Sequence, residues 1–176
     1  MTDSHIELNL KEKLMTPVNP DILAALTSGI QSEVAAYVFY IEAAKKIDAA
    51  EIQATLHQLA GEEKGHFHVL ERQYDSLIRS EKWISTADIL KQKGLPEINE
   101  EMTAVHKELI EQVRRIKGRR EILEMALRLE TEARDLFRGA SQKSTSKEAK
   151  DIFDQLTRFE EGHMTIVRRL MAQVGD

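Results

Sequence analysis

Apolar positions recur at spacings of three and four along four long stretches of the chain, the period of an amphipathic helix. The first predicted helix covers about 20–46, with Ile22, Leu26, Ile30, Tyr37, Tyr40 and Ala44 on one face. The second covers about 49–80, with Ile52, Leu56, Leu59, Leu70, Tyr74 and Leu77. The third covers about 119–142, with Leu123, Ala126, Ala133, Phe137 and Ala140. The fourth covers about 146–174, with Ala149, Ile152, Phe153, Leu156, Val167, Leu170 and Val174. Asn19-Pro20-Asp21 reads as a helix start, because Asn caps, Pro fits the first turn and Asp suits the positive helix end. Asp48 with Glu51, and Thr145 with Glu148, have capping-box spacing.

The connections between the first and second helices, and between the third and fourth, are short, so each pair is expected to fold as an antiparallel hairpin. Residues 81–117 form a connection long enough to cross the length of the bundle. Within it Trp83 and Ile84 are expected to pack back on the helices. Gly94-Leu95-Pro96 is a break, one extra helix is expected over 97–116, and Gly118 marks the next boundary. Residues 1–18 show no strong period and read as a mobile arm or a short extra helix. The expectation is an all-α four-helix bundle, one domain over 19–176.

Composition agrees with that pattern. Hydrophobic residues are 41%, charged residues 31% and aromatics 5% of 176 residues, a profile of long helices rather than sheets. A net charge of -5 gives no broad pull toward nucleic acid or an anionic membrane. The basic run Arg114, Arg115, Lys117, Arg119 and Arg120 reads as a solvated stretch at a helix junction. The absence of cysteine excludes disulfides, zinc–cysteine sites, iron–sulfur clusters and thiol nucleophiles within this sequence. No apolar run approaches the roughly 20 residues of a membrane span, and the polar start lacks a signal-peptide apolar region. A cytoplasmic protein without nucleic-acid or membrane partners is expected.

Six ionisable residues interrupt the apolar stripes: Glu33, Glu63, His66, Glu130, Glu160 and His163. They obey an internal repeat with an offset of 97 residues, which takes Glu33 to Glu130, Glu63 to Glu160 and His66 to His163. The possible caps and Leu59/Leu156 share the same offset. Each upstream Glu lies 30 residues before its Glu-x-x-His partner, so antiparallel helices bring the carboxylates level. Buried unpaired carboxylates are very costly and need protons, hydrogen bonds or a cation. A Glu and a His three residues apart are about 60° apart around a helix and reach one point beside it. Two bridging carboxylates with terminal imidazoles suit two ions of iron or manganese, expected to lie about 3.5–4 Å apart. With 21 glutamates and six histidines, about one Glu-x-x-His is expected by chance, so the signal is the conjunction of stripe, spacing and repeat. A metal-free buried network of Glu and His is the competing reading.

These residues resemble the ferritin-like di-iron superfamily, and most of all its rubrerythrin group. The resemblance is carried by Glu33 followed by Phe39-Tyr40, then Glu63-Lys64-Gly65-His66, and by Glu130 followed by Leu136-Phe137, then Glu160-Glu161-Gly162-His163. It implies a ferritin-like bundle with a long crossover. It also implies Glu33 and Glu130 as ligands, Glu63 and Glu160 as bridges, His66 and His163 as terminal ligands, and a homodimer or larger oligomer. Tyr37 and Tyr40 are candidates to hydrogen-bond a ligand. His5, His57, His68 and His106 are read as structural or surface residues.

The chain departs from the group in two places. It lacks the four-cysteine rubredoxin-like iron site, so electrons must come from a separate donor. It also has Ala133 where a further Glu is usual; Glu132 is on nearly the opposite side of its helix. The leading expectation is a di-iron oxidoreductase reducing peroxide or dioxygen with electrons from iron or an external donor protein. An iron-handling ferroxidase is the alternative. A hydroxylase, a manganese catalase and a module with a structural metal remain open.

Overall fold

The computed structural model describes residues 19–174, of which 82% are helical and none are in strands. Seven helices are found among them: α1 Pro20–Ala44, α2 Ala50–Ser80, α3 Thr86–Leu90, α4 Glu100–Ala104, α5 Lys107–Arg115, α6 Arg119–Lys143 and α7 Lys147–Val174. The reading of 1–18 lies outside the described residues, and so does His5.

α1 begins as expected: Asn19 Oδ1 accepts from the Asp21 backbone N–H at 2.9 Å, and Pro20 opens the first turn. The other two caps differ from expectation. α2 is capped at Ala49 with no side-chain hydrogen bond, so Asp48 does not close a box. Ser146 rather than Thr145 caps α7, its Oγ accepting from the Ala149 N–H at 3.1 Å. Both helices thus start one residue later than their polar signals, and the repeat offset survives the shift.

α1 with α2, and α6 with α7, pack as hairpins, and α1 also packs along α6. Gly29 abuts Phe137 while Tyr40 reaches Glu130, so α1 and α6 run antiparallel. α2 and α7 approach each other less closely. A cavity of about 360 Å³ opens along their seam, between Gly65 and Val69 on one side and Gly162 and Ile166 on the other. By length and composition α1 could cross a membrane, contrary to the reading of apolar runs, because Ala, Gly, Ser and Thr extend its weakly apolar stretch. It lies inside the bundle here, with Leu26, Phe39, Tyr40 and Ala43 buried.

Two core compartments flank the centre of the bundle, and a third, smaller cluster of Val34, Val38 and Phe67 packs against Ile98, Met102 and Ile110 of the crossover. Of the two larger, one gathers Phe39, Ala43, Ile52, Leu56, Leu59, Leu123 and Val167; the other gathers Leu26, Leu70, Leu77, Phe137, Phe153 and Leu156. Gly29 belongs to the second by necessity. A Cβ there would lie 2.8 Å from Phe137 Cε1 and 3.0 Å from Leu70 Cδ1, and both of those side chains are fully buried. Gly29→Ala should therefore lower stability by about 1–2 kcal/mol, since overpacking outweighs the gain in helix propensity. The urea midpoint measures this; an unchanged or higher midpoint contradicts the close approach.

The crossover is shorter-stepped than expected. In place of one helix over 97–116 there are α4 and α5, broken at Val105–His106, and α3 precedes them. Asn99 caps α4 by accepting from the Met102 N–H at 2.9 Å, and Ser85 caps α3 by accepting from the Asp88 N–H at 3.1 Å. The segment is fastened at several points. The buried Gln73 amide exchanges two hydrogen bonds with the Ile84 backbone, at 2.5 and 3.1 Å. Thr86 donates to Gln155 on α7 at 2.9 Å, and His68 meets the Pro96 carbonyl at 2.7 Å. Trp83 packs against the second core compartment, as its apolar bulk suggested. In the basic run, Arg114 pairs with Glu42 and Glu111 at 3.4 and 3.1 Å.

Candidate metal centre

Between the two larger apolar compartments lies one polar layer. α1 contributes Glu33, α2 Glu63 and His66, α6 Glu130, and α7 Glu160 and His163; all six are buried. The helical spacing places them there. Each sits between a residue of the first compartment and one of the second along its own stripe, as Glu63 does between Leu59 and Leu70.

The histidines face the layer through Nδ1, and their rings stack with centroids 5.2 Å apart. His66 Nδ1 is 3.1 Å from Glu63 Oε2 and 3.3 Å from Glu160 Oε1. His163 Nδ1 is 3.0 Å from Glu63 Oε1 and 3.7 Å from Glu160 Oε2. Glu63 and Glu160 thus each offer one oxygen to each imidazole. Glu33 lies only on the His66 side, at 3.6 Å, and Glu130 on the His163 side, at 3.5 Å. Donor atoms of Glu63, His66, Glu160 and His163 all fall within 4.8 Å of one another.

Tyr40 and Tyr37 divide. The Tyr40 hydroxyl donates to Glu130 Oε1 across the two halves of the chain. Tyr37 is half-buried and packs with apolar neighbours. A residue that the sequence did not single out also joins the layer. His163 Nε2 donates to Glu62 Oε2 at 2.9 Å, leaving Nδ1 toward the carboxylates. Glu62 looks in sequence like an ordinary half-exposed neighbour of Glu63, and its spacing gives no signal of this role. Ala133 is buried, and Ala36, its counterpart in the repeat, is buried as well, so no further carboxylate enters one turn beyond Glu33 or Glu130.

Burial and charge set the protonation of the layer. Burial raises the Glu33 carboxyl well above its ordinary value, and the charges of Glu160 and Glu63 add to this. Burial and the Glu63 charge do the same to Glu160 and, less strongly, to Glu130. For Glu63 burial is overcome by its two histidine partners, which hold it below the usual carboxylate range. Burial also opposes charge on His163, but Glu130 and Glu63 push it up to about 11. His66 rises in the same way beside Glu160, Glu33 and Glu63.

Hydrogen bonds do not satisfy the layer. Of eight buried side-chain polar atoms without a partner among the described residues, six belong to it: both Glu33 oxygens, Glu63 Oε1, Glu130 Oε2, Glu160 Oε1 and His163 Nδ1. His163 Nδ1 and Glu63 Oε1 are close but not aligned as donor and acceptor. Such orphaned atoms are rare in native cores. A cation would satisfy oxygen and imidazole donors together without a hydrogen-bond angle, so the donor set fits a metal.

A family model described as Rubrerythrin matches residues 24–119, which includes Glu33, Tyr40, Glu62, Glu63 and His66. No curated protein and no solved structure matches the chain. The match spans more than half of the sequence, and the second half repeats the same ligand pattern at the same offset. This chain belongs to the rubrerythrin family, a ferritin-like di-iron family, and its all-α bundle carries a buried Glu/His cluster that could hold a metal ion.

Proposed function

We propose that this chain is a di-iron oxidoreductase that reduces peroxide or dioxygen with electrons drawn from iron or from a separate donor protein. The observation that carries this is the sharing of Glu63 and Glu160 between two imidazoles, which provides for two ions rather than one. In this reading Glu63 and Glu160 would be shared between two ions, with Glu33 and His66 holding one and Glu130 and His163 holding the other. The group supplies, when bound, two electrons to a single oxidant molecule. The chain does the rest. Four carboxylates stabilise the oxidised charge, the imidazoles anchor it, and Tyr40 fixes the Glu130 carboxylate. The seam between α2 and α7, with an apolar lining of Val69, Leu90, Phe159 and Ile166, gives a small oxidant a path to the histidines. A homo-oligomeric assembly and a cytoplasmic location belong to the same proposal.

Iron handling without a dedicated catalytic cycle is the second reading. Ala36 and Ala133 favour it, because neither half offers an alternative carboxylate to accompany a change of oxidation state. Stopped-flow absorbance separates the two. The di-ferrous protein mixed with peroxide or dioxygen should oxidise much faster than free ferrous ion, turn over slowly without a donor, and lose the rapid phase in Glu63→Ala. Oxidation no faster than free iron, or unaffected by the substitution, favours the iron-handling role.

A further inference from the structure

The two halves repeat closely at the ligands but not in what supports them. Tyr40, which donates to Glu130, has Phe137 as its counterpart at the offset of 97. Glu62, which accepts from His163 Nε2, has Phe159 as its counterpart. Both supporting polar residues therefore come from the first half and serve ligands of the second, and each return position is phenylalanine. The consequences are visible at the ligands. Phe159 stacks on His66 with centroids 4.9 Å apart and an interplanar angle of 8°. Among the described residues, the outer Nε2 of His66 has no hydrogen-bond partner, and neither Glu33 oxygen has one.

We propose that the two metal positions are unequal by construction. Glu130 and His163 hold the ion that fills first and leaves last, Glu33 and His66 hold the exchangeable one, and Tyr40 and Glu62 are the positioning residues that make the difference. This rests on the metal reading above.

The physical argument has two parts. A carboxylate accepting from the outer N–H of an imidazole fixes the tautomer and the ring edge, and makes the inner nitrogen a stronger donor; such support is worth about 10–100-fold in metal affinity. Stacking against Phe159 fixes the plane of the His66 ring but not which edge faces the carboxylates, and it adds no donor strength. The Tyr40 hydroxyl acts on the carboxylate side. By occupying Glu130 Oε1 it leaves Oε2 turned to His163, so that ligand is oriented before an ion arrives. Glu33 must be oriented by the ion itself. His66 and His163 both line the cavity between α2 and α7, so a way out is open to either ion and the difference between them rests on Tyr40 and Glu62.

Histidine-resolved NMR tests this on the full-length metal-free protein, labelled with ¹⁵N-histidine and titrated with ¹¹³Cd²⁺. His163 Nδ1 should shift and couple to cadmium at the first equivalent, and His66 only at the second. Tyr40→Phe and Glu62→Leu should each weaken the first step about 10–100-fold and leave the second. Glu62→Gln should preserve the order, because its amide oxygen still accepts from Nε2. Phe159→Glu, at a half-buried position, should bring His66 binding up to coincide with that of His163. Loading of His66 first, or of both together in the natural sequence, would overturn the proposal, as would Glu62→Leu weakening both steps equally. No shift of either histidine at any ratio would overturn the metal reading itself, a distinguishable result.

Discussion

Exchanging Glu63 for Gln should empty both metal positions at once, whereas Glu33→Gln should empty one. The difference follows from the distances: Glu63 has one oxygen 3.1 Å from His66 and the other 3.0 Å from His163, while Glu33 approaches only His66, at 3.6 Å. Loss of a shared ligand should weaken both positions on the order of 100-fold, at least as much as losing strong outer support. The same substitution should also destabilise the metal-free protein. Glu63 is the carboxylate that both buried histidines hold ionised, and removing its charge leaves them without their common counter-ion, at a cost of about 3–5 kcal/mol. Bound iron per chain after passage over a weak chelator, with the urea midpoint of each metal-free variant, reads both effects. Equal iron loss in the two variants would show that Glu63 is not shared.

The metal-free protein should lose stability as pH rises from 7 to 9, and the metal-loaded protein should not. His66 and His163 have folded pKa values raised above the unfolded value, His163 to about 11, through carboxylate partners that overcome burial. Their contribution is complete below the ordinary histidine value of about 6.5 and is lost as pH rises toward the folded value. Glu33, Glu130 and Glu160, raised by burial first and then by neighbouring carboxylate charge, that of Glu63 in every case, act with the same sign from the carboxylate range upward. Only Glu63 opposes them, and its contribution is lost in acid, outside this window. Each raised histidine adds to the slope while the pH lies between its unfolded and folded values, by at most about 1.4 kcal/mol per pH unit, which is roughly 3–6 °C in Tm for a chain of this size. Metal displaces these protons, so loading should flatten the slope and raise Tm at every pH in the window. Thermal scans at three pH values, with and without ferrous ion, decide it. A flat metal-free profile, or the same slope with metal, contradicts the protonation described.

Much of this centre was legible in sequence because its residues violate a pattern. An ionisable side chain on an apolar stripe is conspicuous, and six of them under one repeat offset locate the layer before any coordinates. Tyr40 was half legible: spacing brought it near, but only the antiparallel packing of α1 on α6 shows that its partner is Glu130 and not Glu33. Glu62 was not legible. It lies about 100° around α2 from Glu63, and its partner comes from a helix facing it across a seam. The short helices were hidden for another reason. Five residues are too few for a period, and the Ser85–Asp88 spacing that caps α3 is common in loops. The caps at Asp48 and Thr145 were misplaced by one residue because Ala49 carries the extended backbone at the start of α2 and Ser146 takes the capping hydrogen bond of α7.

The charged layer between the two larger apolar compartments also acts as an alignment key. Slipping α7 by a single turn against α2 moves it about 5.4 Å, far enough to set Glu160 and His163 against leucines and leave the opposing carboxylates unanswered. Apolar layers tolerate such slips, since one aliphatic side chain substitutes for another at modest cost. A layer of charges does not, because every wrong pairing buries an uncompensated ion. The same six residues that form the candidate metal centre thus select one vertical setting of four helices whose apolar stripes alone would accept several. A redesigned bundle with aliphatic residues in this layer would gain cohesion and lose its unique register.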